Sequence, residues 1–131
     1  MDITDWAFAK YMVGSSLFFQ VPAVYAYRYK KYDVALCSCI TMILSMNYWR
    51  HPTYSWRRTL DMYWIRISGT YYLTRSLQHS YLGIPGSLMM GGCYYLSCQQ
   101  YNKNQFGNWY LYHMLLHAVS SVNHMMLVHI T

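Results

Sequence analysis

At 131 residues, with 55% hydrophobic and 11% charged side chains, the chain fits one domain, 1–131, and falls well below the roughly 25% charged content of soluble domains. Lipid is therefore the expected solvent, with a soluble helical bundle around an aromatic core as the alternative. The net charge of +6 is carried mostly by short clusters between apolar runs, at Arg28, Lys30 and Lys31 and at Arg50, Arg57 and Arg58, a placement that suits lipid headgroups and excludes nucleic acid as the expected partner.

The mean hydropathy of +0.02 understates this bias, because Tyr and Trp score as polar yet partition well to membrane interfaces and helix contacts. Cys37, Cys39, Cys93 and Cys98 lie inside apolar segments without a paired CxxC framework, so neither a zinc ribbon nor a secreted disulfide scaffold is indicated. The start through Asp2, Thr4, Asp5 and Trp6 is acidic and no small-residue cleavage site follows. The first span is expected to remain as an anchor, not to be removed as a signal peptide.

The first predicted span runs from Trp6 or Tyr11 to Tyr27, with Thr4 as a cap and a basic stop at 28–31. Pro22 inside it frees a backbone carbonyl, which places that face against another helix or water. The second span, 33–49, is charge-free from Val34 and rich in small residues, with Tyr48, Trp49 and Arg50 as an interfacial belt. Pro52 closes it.

The third span, 59–75, carries charge inward at Asp61 and Arg66. Asp61, Ser68 and Tyr72 share one face, while Arg66 points elsewhere, toward a partner, water or headgroup. The fourth, 82–99, contains Ser87 and Gly91, a small-xxx-small pattern for close packing within the chain or in a homo-oligomer. Loops shorter than about a dozen residues leave no room for an extramembrane domain. The predicted class is thus all-α, a polytopic transmembrane bundle of about five helices; its orientation stays open, because the loops after spans one and two hold three Lys or Arg each.

The fifth span, 109–131, holds the densest chemistry. At about 100° per residue His113, His117, Ser120 and His124 fall within a sector of roughly 60° on a helix. His129 lies outside it. The HxxxH pair His113/His117 presents two imidazoles about 6 Å apart, a spacing at which they can share a metal ion. A catalytic zinc needs a third protein ligand and an open position; His124 is about 10 Å further along the axis, so the third ligand must come from His51, His79 or Asp61. Helix-packing hydrogen bonds and a proton or small-ligand conduit through Ser120 and His124 are the competing uses of the same stripe. One histidine box is too few for a membrane di-iron site.

Taken together, Ser45, Asp61 near the start of the third span in Leu60-Asp61-Met62-Tyr63-Trp64-Ile65, and His113-x-x-x-His117 resemble the alkaline ceramidase and progestin-receptor-like superfamily of membrane hydrolases. The resemblance implies a zinc held by His113 and His117, with Asp61 orienting or deprotonating its water and Ser45 hydrogen-bonding at the metal site. It also implies a lipid amide or ester as substrate. Trp49 stands where that superfamily has histidine, one turn after Ser45, and its members have seven spans. The run Ser45 to Pro52, followed by Trp56, Arg57, Arg58 and Asp61, is similar in texture to small polytopic membrane proteins of large DNA viruses and some protists; there Arg50, Arg57 and Arg58 form a basic corner able to pair with Asp61 or lipid phosphate. The non-enzymatic alternative is a structural or assembly component of a membrane.

Overall fold

The computed structural model describes residues 3–131; Met1 and Asp2, part of the acidic start, lie outside the described residues. All regular structure among them is helical apart from one isolated bridge residue, Thr53. Helix α1 (Trp6–Ser16) passes through a 3-10 turn (Leu17–Phe19) into α2 (Gln20–Arg28), and α3 (Tyr32–Trp49), α4 (Trp56–Leu77), α5 (Gly83–Lys103) and α6 (Trp109–Ile130) follow. Leu17, Phe19 and Gln20 keep right-handed helical dihedrals, so α1 and α2 form one rod and the bundle has five. The 3-10 turn has a cause in the sequence. Pro22 cannot donate to the Phe18 carbonyl and its ring crowds that oxygen, so the chain tightens one turn ahead of it; Pro22 itself is buried.

Each helix end has a local reason. Lys30 takes φ 60°, and its N–H and that of Lys31 bond to the carbonyls of Tyr27 and Ala26 at 3.1 and 2.9 Å, the paired bonds of a Schellman stop with lysine in the place glycine usually fills. Asp5, not Thr4, occupies the cap position of α1, and it makes no side-chain cap bond. Asn104 turns the chain between α5 and α6 by accepting the Phe106 N–H on Oδ1 at 3.0 Å. Helix α4 begins at Trp56, ahead of the expected Thr59, and α5 runs on past Gln99 to Lys103, because hydropathy marks where apolar residues stop and not where backbone hydrogen bonding does.

Helix α6 packs against α1, α2, α3, α4 and α5, and short connections make successive rods antiparallel. Two apolar clusters hold the ends, one around Val34, Tyr72 and Leu127 and one around Met12, Trp49 and Trp109. The α4–α5 approach depends on Gly83: a Cβ there would lie 1.7 Å from Ser76 Oγ and 2.6 Å from Ser76 Cβ. The expected small pair Ser87/Gly91 is not this contact, since a Cβ on Gly91 meets nothing within 4 Å among the described residues.

The distribution of polarity is inverted. Buried polar side chains are as numerous as buried apolar ones among the described residues, including Ser38 at 0% and Asp61 at 3% exposure, while Leu88 is 72% and Leu36 61% exposed. Even so, no helix among the described residues is long and apolar enough to cross a membrane, and hydropathy does not support the expected spans. Tyr, Trp, Ser, His and Gln within the helices depress that average.

Gly83→Ala is expected to destabilise the bundle by about 1–3 kcal/mol, since the new methyl must displace Ser76 Cβ, whereas Gly91→Ala is expected to be neutral or stabilising by up to about 1 kcal/mol through helix propensity. Reversible unfolding of both variants in mixed micelles checks the pair.

Candidate functional site

The site grows from α6, whose polar stripe faces the bundle interior. His117 is buried with Nδ1 2.7 Å from Ser15 Oγ, and Ser15 Oγ donates to the Met12 carbonyl at 3.2 Å. Both bonds are satisfied when His117 donates Nδ1–H to Ser15, and the lone pair is then on Nε2. One residue on, Ser16 Oγ donates to the same Met12 carbonyl at 2.7 Å and lies 2.7 Å from Ser45 Oγ, so Ser45 donates to Ser16. Ser45 is thereby engaged with α1 and does not reach the histidine pair through its hydroxyl proton. His124 sits lower on the stripe with Nδ1 3.1 Å from Ser38 Oγ.

Aromatic rings separate and brace these imidazoles. His113 and His117 lie edge to face with centroids 4.9 Å apart, and Trp49 packs edge-on against His113 at 5.1 Å. Phe19 touches both His117 and His124, at 5.7 and 5.8 Å.

A cavity of about 760 Å³ runs beside this stripe. Ser45, Asp61, His113 and His117 all line it, as do Ser68, Tyr72, Ser120 and His124, so the shared face expected for Asp61, Ser68 and Tyr72 is turned inward. Exposed Gly69, Thr70 and Gly91 also belong to its wall, which places an opening between α4 and α5. Arg66 lies at that exposed edge, over the Tyr63 ring at 5.8 Å.

Asp61 is buried, and its Oδ1 has no hydrogen-bond partner among the described residues. The expected basic corner does not pair with it. Arg58 lies over the Tyr54 ring at 5.2 Å, Arg57 over Trp56 at 5.9 Å, and Arg50 Nε donates to Asn47 Oδ1 at 3.0 Å. The ion pair found among the described residues is elsewhere: Arg75 Nε lies 2.8 Å from Asp33 Oδ2, close enough for Coulomb attraction though off-line for a hydrogen bond. Tyr71 donates to the same carboxylate oxygen. Asp33 in the first turn of α3 and Arg75 in the last of α4 each complement a helix dipole.

His51 and His79 are exposed, and neither is among the described residues lining the cavity. Among the described residues no three His, Cys, Asp or Glu side chains converge to hold a metal ion. His113 and His117 therefore stand as a pair of donors among the described residues, with the Trp49 indole packed edge-on against His113. This donor set does not complete a tetrahedral zinc site.

Compared with family models, curated proteins and solved structures, the chain matches none.

The serine pair Ser15/Ser16 was the feature missed from sequence. Its signal was two adjacent hydroxyls at the middle of the first span, on the rod that packs against α3 and α6. Ser15→Ala strands a buried imidazole nitrogen and is expected to cost about 1–3 kcal/mol. Ser121→Ala, which removes a bond to the carbonyl of its own helix at 2.9 Å, is expected to stay within about 0.5 kcal/mol; equal losses in micelle unfolding would refute the cross-helix role of Ser15.

Proposed function

We propose that this chain is a membrane-embedded helical bundle that binds a lipid-like amphiphile in its central cavity. One observation carries the reading: the polar groups turn inward around a cavity while large apolar side chains cover the outside. In water such an arrangement exposes far more contiguous apolar surface than a soluble monomer tolerates; in a bilayer it is the expected one, with polar side chains satisfied between helices. Hydropathy averages over all sides of a helix, including the side turned inward, whereas lipid meets just the outer half. On α6 that outer half includes Leu111, Leu115 and Val122, and on α5 it includes Leu88 and Met89.

The volume suits one hydrocarbon chain with a small headgroup. The opening between α4 and α5 supports lateral entry, from the bilayer and not from water. Cleavage of a lipid amide or ester by water is the second reading, favoured by Asp61 and His113 lining one cavity: one would take the proton of the attacking water and the other would give a proton to the leaving nitrogen or oxygen as its bond to the acyl carbon breaks. It predicts fatty-acid release that Asp61→Asn and His113→Ala each remove.

Reconstituted in vesicles containing bromine-labelled acyl chains, the protein is expected to show quenched tryptophan fluorescence and to resist extraction by alkaline carbonate; an unquenched, extractable protein refutes the membrane assignment. For binding, Gly91→Phe places a ring in the cavity wall without a neighbour to displace. It is expected to weaken binding of a single-chain alcohol at least about tenfold, near 1.4 kcal/mol, with the folded stability retained. Unchanged affinity in a folded variant overturns the cavity reading.

A further inference from the structure

The cavity has two chemically different ends, and the inference drawn from them rests on its being an amphiphile-binding site. Since α3 and α5 run opposite to α4 and α6, the last turns of the first two and the first turns of the second two meet at one end. That end is lined by Tyr48, Trp49, Arg58, Asp61, Tyr101 and Trp109, whereas Leu73 and Met90 line the other together with Tyr72 and Ser87.

Asp61 is 3% exposed, and its Oδ1 lacks a partner among the described residues. A carboxylate removed this far from water is costly unless something pairs with it. The nearby arginines do not supply that pairing. Arg58, three residues away on the same helix and part of the same wall, lies over the ring of Tyr54, and Arg57 lies over Trp56. Aromatic rings of Tyr48, Trp49, Tyr101 and Trp109 belong to the same wall, and indole and phenol faces attract cations. A carboxylate without an ion-pair partner among the described residues, beside electron-rich rings at one end of the chamber, is complementary to a positively charged nitrogen on a hydrocarbon chain.

We propose that the cavity takes a single-chain amphiphile with an ammonium headgroup, the nitrogen seated against Asp61 and the rings of Tyr48 and Trp49, and the chain directed along the cavity toward Met90. The tyrosine hydroxyls add acceptors for N–H donors. An anionic headgroup is disfavoured at the same place by the Asp61 charge.

Three probes of equal chain length test this with the full chain in uncharged maltoside micelles: decylammonium, decanol and decanoate, titrated against tryptophan fluorescence, Trp49 and Trp109 being wall residues. Decylammonium is expected to bind at least about tenfold more tightly than decanol, with decanoate weakest, and the ammonium-to-alcohol ratio is expected to fall to near one in Asp61→Asn. If that variant loses its helical circular dichroism, the wild-type order decides by itself. Equal affinity for ammonium and alcohol, or a preference that survives in folded Asp61→Asn, overturns the ammonium assignment and leaves the cavity reading standing. Failure of all three probes to bind the wild type overturns both.

Discussion

Two hydroxyl protons, from Ser15 and Ser16, end on a single backbone carbonyl, that of Met12, and the interior is arranged around that fact. Because both serines spend their protons on Met12, each must accept from its cross-helix partner. Ser15 thereby fixes the tautomer of His117, and Ser16 fixes the hydroxyl of Ser45. One turn of α1 thus sets the orientation of groups on α6 and α3 at once. In a low-dielectric interior such bonds are strong and an unmade one is costly, so the seam, together with the apolar cluster of Met12, Trp49 and Trp109 on the same rods, defines the rotation of three rods about their axes. Serines bonded back to the preceding turn weaken regular helix geometry, and Ser15 and Ser16 directly precede the 3-10 turn at Leu17–Phe19.

Much of this architecture was legible from residue order. The rods follow from apolar runs separated by Pro52, by the polar connection through Gln78, His79 and Ser80 before Gly83 and by Asn104, and the inward stripe His113, His117, Ser120 and His124 follows from angular spacing alone. The cavity-lining role of Asp61, Ser68 and Tyr72 was likewise visible as one helical face. What spacing could not supply was the partner of each group. Ser45 has Ser16 as its neighbour because of the phase of a different helix, set by the proline turn. Trp49, one turn after Ser45, fills the space beside His113 with an indole, and His51 lies past the helix end where no rotation brings it inward. The Asp33–Arg75 pair joins residues far apart in sequence, and the antiparallel pairing of α3 and α4 alone brings them together.

Glycine placement shows the same division between what order reveals and what packing decides. Ser87 and Gly91 have the four-residue spacing of a helix-packing motif, yet Gly91 lies at the cavity opening. Gly83, at the first residue of α5, and Gly86 are the ones pressed against neighbouring helices. Spacing identifies which residues share a face; it does not say whether that face meets a helix or a void.

The inverted polarity and the cavity are connected by a constraint on buried polar groups. An interior with serines, an asparagine, histidines and an aspartate must satisfy each of them, and the described bonds do so for Ser15, Ser16, Ser38, Ser45 and His117, as well as for Asn123, whose amide donates to the Gly86 carbonyl at 3.0 Å. Asp61 Oδ1, Tyr72 Oη and Ser87 Oγ stand apart from that pattern on the wall of the same chamber, without a partner among the described residues. A network that is complete on the α1–α3–α6 side and open on the α4–α5 side separates the bundle into a rigid frame and a receptive face. The receptive face is also the one where Gly69 and Gly91 leave room between helices, so the side chains that lack a partner and the route by which a partner can arrive lie on the same two rods.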